Sequence, residues 1–244
     1  MKNILAAFLS LLIAVQANFA FAQSEKSFEE QVLEVIRKNP EIIREAITLL
    51  QEQEQLAAEQ NRQLVIDENI SLIQSVDNAP VLGNPDGDVT IVEFFDYNCS
   101  YCRQSAEVVE ELLASDPNIR LIYREWPILG EGSIFAARAS LAALKQNKYQ
   151  EFHFALMRLT EPATEQSVLR SAKEVGLNIA QLQTDMDDPL IAEHVNLSRE
   201  MTSALNFSGT PSFLIGRTAV PGYINLAQMR AVVESERTGS TTKE

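Results

Sequence analysis

The chain has 244 residues, 45% apolar and 22% charged, a balance that suits a packed core and argues against wholesale disorder. Its formal net charge of -14, with no basic stripe, excludes work on nucleic acid, where phosphate contacts need clustered Lys and Arg. The acidic excess serves solubility.

Residues 1–22 read as a secretory signal peptide. Lys2 gives a positive start, residues 4–15 are apolar apart from Ser10, and Ala20-Phe21-Ala22 sets small residues where a signal peptidase inspects. An apolar run of about a dozen residues falls short of the ~20 needed to span a bilayer. Cleavage is expected after Ala22, with a cut after Ala17 as the alternative and an uncleaved anchor as the lesser reading. No later stretch approaches membrane length, so the mature chain is expected to be soluble and exported to the periplasm.

Residues 23–76 read as an N-terminal helical stalk and linker. Ser27 and Glu30 form a capping box, and Asn39-Pro40 restarts a helix with Pro40 where its missing N–H costs nothing. Phe28, Val32, Val35, Ile42, Ala46, Leu49 and Leu56 recur at steps of three and four or their multiples, the seam of an associating helix. Leu33, Ile36, Ile43, Ile47 and Leu50 widen that face. Such helices cannot bury their own stripe. Packing against other copies of the chain is the expectation, with an intramolecular clamp as the alternative. Residues 51–63 are nearly all polar and look solvated or linker-like.

Residues 77–236 read as one α/β domain. The turn signal Asn84-Pro85-Asp86-Gly87-Asp88 precedes a buried strand at 89–95. A helix at 104–113 and a strand at 119–126 complete a βαβ unit with a parallel sheet. Helices broken near Asn147, Pro162, Gly176 and Pro189 fill an insertion at about 131–206. Strands at 211–215 and 218–220 and a helix at 225–233 follow, and residues 237–244 form a flexible tail.

The chemistry centres on Cys99-Ser100-Tyr101-Cys102, the chain's only two cysteines. A disulfide across so short a loop is a weak structural staple, and two thiols fall short of the four ligands of a structural zinc site. Redox chemistry is the leading reading. Cys99 falls at a strand-to-helix junction, where unpaired N–H groups and the helix dipole stabilise a thiolate. Cys102, one turn further, is placed to attack a mixed disulfide formed at Cys99.

Glu93 stands inside the apolar strand six residues before Cys99. Burial would raise its pKa and suit it to take the proton of Cys102; the alternative is an edge residue facing solvent. In Gly209-Thr210-Pro211-Ser212-Phe213, a cis Pro211 would offer the Thr210 backbone to an extended substrate, against an ordinary trans proline at the strand's start. His153 and His194 have no partner at ligand spacing and read as core or surface histidines. No metal and no cofactor is expected.

These residues resemble the DsbA family of periplasmic thioredoxin-fold proteins. The resemblance rests on the run from Val92 to Arg103, on Pro127-Ile128-Leu129-Gly130, Ala136-Ala137-Arg138-Ala139, Gly209-Thr210-Pro211 and Pro221-Gly222-Tyr223. Asn39-Pro40-Glu41 with Glu45-Ala46 and Leu49-Leu50 resembles the branch of suppressor-of-copper-sensitivity protein C, some of whose members are trimeric isomerases. The resemblance implies a thioredoxin fold with a helical insertion, attacking Cys99, resolving Cys102, buried acid Glu93 and cis-proline Pro211. It also implies a membrane reductase of the DsbD or copper-sensitivity protein B type as partner, or a DsbB-like oxidant if the protein works oxidised.

Ser100-Tyr101 replaces the Pro-His of the DsbA oxidase, removing one source of thiolate stabilisation and implying a less oxidising disulfide. Thr210 matches the isomerases where the oxidase has Val. The expected function is thus a disulfide isomerase or reductase acting on misfolded or disulfide-containing exported proteins as a homo-oligomer, a trimer by resemblance. A DsbA-like oxidase is the alternative, and Cu(I) binding through the two thiolates a minor one.

Overall fold

The computed structural model describes residues 27–239; the expected signal peptide at 1–22 lies outside them. They divide into two compact units that meet in sequence at Ala57 and Ala58, each described by itself. Helices α1 (Phe28–Lys38) and α2 (Glu41–Ile73) come first, the second crossing that division. Among the described residues no helix is long and apolar enough to cross a membrane.

In the first unit Ser27 Oγ accepts from Glu30 N and Glu30 Oε2 from Ser27 N, closing the capping box. Phe28, Val32, Val35, Ile42 and Leu49 are all exposed. No residue of α1 is buried.

The second unit holds a five-stranded sheet in the order β1-β3-β2-β4-β5, with β1 (Val81–Gly83), β2 (Val89–Phe95), β3 (Ile119–Glu125), β4 (Ser212–Ile215) and β5 (Thr218–Pro221). Strands β2 and β3 run parallel and are joined through α3 (Ser100–Ser115), the expected βαβ unit. The remaining pairs are antiparallel. Between β3 and β4 the chain inserts α4 (Glu131–Ala142), a short 3-10 turn, α5 (Tyr149–Met157), α6 (Glu165–Glu174), α7 (Ile179–Asp185) and α8 (Pro189–Ala204). Helix α9 (Leu226–Thr238) closes the chain.

Every residue of β2 is buried because the strand is central and covered on both faces. Ile91 and Phe95 enter one core with Val109 and Leu112 of α3 and Met229 and Val233 of α9. Val92 and Phe94 enter another with Ile66 and Ile73 of α2 and Met201 of α8. In register, Glu93 stands between Tyr123 of β3 and Phe213 of β4.

Two expected boundaries change. Residues 58–76 are not linker: Ile66 and Ile73, seven apart, lie on one face of α2 and are buried against the sheet. The domain therefore begins near residue 58 rather than 77. The tail also starts later than 237, because Arg237 is still helical and pairs with Asp88 at 2.8 Å and Asp116 at 2.9 Å. Residues 240–244 lie outside the described residues.

Candidate active site

Cys99 is the N-cap of α3, in extended backbone conformation, and its N–H donates to Asp96 O at 3.1 Å. The two cysteines are free thiols with unequal surroundings. Cys99 keeps 8% of its surface, whereas Cys102 is fully buried. The Cys99 thiol donates to Thr210 O at 3.2 Å.

These surroundings split the two thiols. The Cys99 pKa is lowered to about 5, first by the Cys102 side chain against the opposing effect of burial, then by the Thr210 side chain and the N–H groups of Cys102 and Tyr101. Burial pushes Cys102 far the other way, with the Cys99 side chain adding to the rise. One thiol is thus ionised at neutral pH while its neighbour holds its proton.

Glu93 is buried, not solvent-facing, and neither carboxyl oxygen has a hydrogen-bond partner. Burial raises its pKa to about 8; the Ser105 side chain opposes the rise and the charge of Cys99 adds to it. Opposite Cys99, the Thr210–Pro211 peptide is cis. Ser212 Oγ fixes the turn by donating to Gly209 O at 2.7 Å. Cys99, Cys102, Glu93, Thr210 and Pro211, named separately from the sequence, therefore stand on three adjoining elements.

The two histidines are both core residues. His153 lies in an aromatic cluster with Phe95, Tyr97 and Tyr123, Nδ1 at 3.0 Å from Tyr97 Oη, and burial lowers its pKa to about 3. His194 pairs with Glu125. Among the described residues no His, Cys, Asp and Glu group is arranged to hold a metal ion.

Sequence reasoning passed over three features. Arg103 donates to the carbonyls of Tyr97, Leu159 and Glu161, tying the start of α3 to the insertion. Tyr101 is exposed beside the half-exposed Tyr223, ring centroids 6.2 Å apart. Asp96 gathers four donors on its carboxylate. Asp96, Tyr101 and Arg103 lie in the run from Val92 to Arg103, and Tyr223 in Pro221-Gly222-Tyr223, segments that carried the resemblance without a role for these side chains.

Comparison with known proteins finds a DSBA-like thioredoxin domain over residues 90–234. A thioredoxin-like oxidoreductase from Silicibacter pomeroyi DSS-3 is 54% identical, with 69% of this chain and 96% of that one covered and a TM-score of 0.67. A linker-deletion mutant of Proteus mirabilis ScsC shares the fold at 20% identity, covering 89% of this chain and 99% of that one, with a TM-score of 0.72. A Na(+)/H(+) antiporter NhaA from Herminiimonas arsenicoxydans is 27% identical over 165 residues, 67% of this chain. The chain spans about a quarter of that relative's length (26%).

Proposed function

Because the chain belongs to the DSBA-like thioredoxin-domain family of thiol:disulfide oxidoreductases, we propose that it is a periplasmic disulfide isomerase or reductase acting on exported proteins. The observation that carries the reading is the split between the thiols, Cys99 at about 5 and Cys102 buried and pushed well up. The expected leader at residues 1–22 supports export.

The Cys99 thiolate attacks one sulfur of a client disulfide. The client S–S bond breaks, its other sulfur leaves as a thiolate, and a Cys99–client mixed disulfide forms. In isomerisation that client thiolate attacks elsewhere in the client, and a client thiolate finally displaces Cys99 with no net electron transfer. In reduction Cys102 gives its proton to Glu93 and attacks the Cys99 sulfur. Cys99–Cys102 becomes the disulfide and the client takes two electrons. While the mixed disulfide lasts, Cys99 carries no charge to hold the Glu93 proton on, which favours the carboxylate that must accept. Thr210 and the cis Pro211 border the client chain. A membrane reductase of the DsbD or copper-sensitivity protein B type returns the dithiol.

The exposed stripe on α1 and the start of α2 supports assembly into a homo-oligomer, with a trimer favoured by resemblance, setting several Cys99 sites around one client. The test is reactivation of scrambled ribonuclease by the full chain and by a chain starting at residue 58. Strong reactivation that falls with the N-terminal unit supports the reading. Rapid oxidation of a reduced client, with no reactivation, makes the protein an oxidase instead.

A further inference from the structure

Glu93, Ser105 and Tyr123 are buried, and both Glu93 carboxyl oxygens, Ser105 Oγ and Tyr123 Oη lack a hydrogen-bond partner. Three elements bring them to one side of the sheet. Glu93 stands between Ile91 and Phe95 on the face of β2 that α3 covers. Ser105 follows Cys102 by three residues on the buried face of α3. Tyr123 is the β3 neighbour of Glu93 in the parallel register and enters the same core.

Hydroxyls elsewhere in this domain are not left this way. Ser140 and Ser198, equally buried in helices, donate back to Ala137 O at 3.0 Å and His194 O at 2.9 Å. Tyr149 Oη donates to Glu125, and Tyr97 Oη stands 3.0 Å from His153 Nδ1. The Ser105 and Tyr123 hydroxyls are thus held in reserve beside a carboxyl that changes charge. A hydroxyl suits such a neighbour, because by rotating it donates to a carboxylate or accepts from a carboxylic acid. A cation would hold Glu93 ionised throughout.

The titratable groups acting on or around Glu93 are Cys99, Cys102, Tyr97 and Tyr123, with Glu110 and Glu125 beyond Tyr123. Phe213 of β4 and Met229 and Val233 of α9 add no charge. The Ser105 side chain already opposes the rise that burial imposes on Glu93, and Glu93 is the charge that acts most strongly on Tyr123.

We propose that Ser105 and Tyr123 are positioning residues for the resolving step, their hydroxyls turning to donate to the Glu93 carboxylate until it takes the Cys102 proton. The proposal rests on the thiol–disulfide reading above. The Cys102 S–H bond breaks as Glu93 gains the proton, and the new thiolate attacks the Cys99 sulfur. The client sulfur leaves with the electron pair of the mixed disulfide. Neither hydroxyl gains or loses a proton; both act through Glu93.

The test mixes the reduced full chain with oxidised glutathione over a series of pH values. Acid quenching and mass spectrometry then separate the Cys99–glutathione adduct from the Cys99–Cys102 disulfide. Ser105→Ala and Tyr123→Phe each remove one hydroxyl and keep the packing. Each is expected to move the midpoint of adduct decay up by about one pH unit, the scale of one hydrogen bond to a charged group. Decay at pH 7 then slows by up to about tenfold, and the gap closes in alkali. Adduct formation, which reports the Cys99 attack, stays within about twofold. In a Glu93→Gln background each substitution should change decay by less than about twofold. An unmoved midpoint overturns the role of the hydroxyl removed, and equal slowing in the Glu93→Gln background overturns action through Glu93. A native chain that forms no adduct instead refutes the underlying thiol chemistry.

Discussion

Cys99 Sγ and the carbonyl oxygen of Thr210 are 3.2 Å apart, so the reactive thiol and the peptide before the cis-proline form one site. The Thr210 side chain, unlike that carbonyl, favours the thiolate. Thr210→Val keeps the carbonyl and removes the hydroxyl. A hydrogen bond to a charged group contributes about 1.5 kcal/mol, so the Cys99 midpoint should rise by about one pH unit. Thiolate absorbance against pH reads it. In the native chain the midpoint should fall near 5. An unmoved midpoint in the variant would remove Thr210 from the account.

The same depressed pKa fixes how stability of the dithiol form depends on pH. The folded value, about 5, lies below the ordinary thiol value of 9.0, so the stabilisation is complete above 9.0 and is lost as pH falls through about 5. Urea unfolding of the native chain minus that of Cys99→Ser should show this difference shrinking steadily across that window. A difference that grows on acidification has the wrong sign for a stabilised thiolate.

Glu93 has the opposite sign. Its folded pKa, about 8, lies above the ordinary 4.5, so its protonated form fits the core and ionisation is penalised as pH rises. Glu93→Gln should gain on the native chain from about pH 4.5 upward and level off above about 8. The gain is on the order of 3 kcal/mol at pH 7. The variant should also accumulate the mixed disulfide at Cys99, because Cys102 loses its proton acceptor. Gel detection of that adduct separates the proton role from the stability effect.

The strand at 89–95 was legible because a doubly covered strand is mostly apolar and β-branched, which also marked Glu93 as a buried exception, and the strand read at 119–126 ends at Glu125. The cysteines and Thr210-Pro211 were legible from residue type and local order. Asp96 was not: beside Asn98 it resembles any turn acid, and three of its four donors come from 32 to 37 residues away. Strand β1 is three residues long, too short for a period to show. Residues 58–73 look polar because only Ile66 and Ile73 of that stretch are fully buried.

That thin face makes a prediction about truncation. A chain starting at residue 58 should fold, whereas one starting at residue 76 strips Ile66 and Ile73 from Val92, Phe94 and Ile122. Ile66→Ala and Ile73→Ala in the full chain should each cost about 2–5 kcal/mol, the range for a buried aliphatic truncation. Denaturant midpoints measure both. Losses below about 0.5 kcal/mol would mean that α2 is not part of this core.

A buried polar cluster makes the last prediction. Glu125 Oε2 and His194 Nε2 are 2.7 Å apart with both side chains 1% exposed. Tyr149 Oη donates to Glu125 Oε1 at 2.6 Å, and His194 Nδ1 stands 2.7 Å from Asn78 O. A carbonyl has no hydrogen to offer, so Nδ1 must carry one. Nε2 in turn accepts from the Glu125 main-chain N–H at 3.2 Å. His194→Ala strands the Glu125 carboxyl and frees the Asn78 carbonyl, and should cost about 3–5 kcal/mol, the scale of breaking a buried pair. Glu125→Gln keeps an acceptor for Tyr149 and supplies an N–H toward His194, so its cost should be nearer 1 kcal/mol. Urea unfolding of both variants at pH 7 compares them. Equal losses would mean that an amide cannot stand in for the carboxyl between Tyr149 and His194.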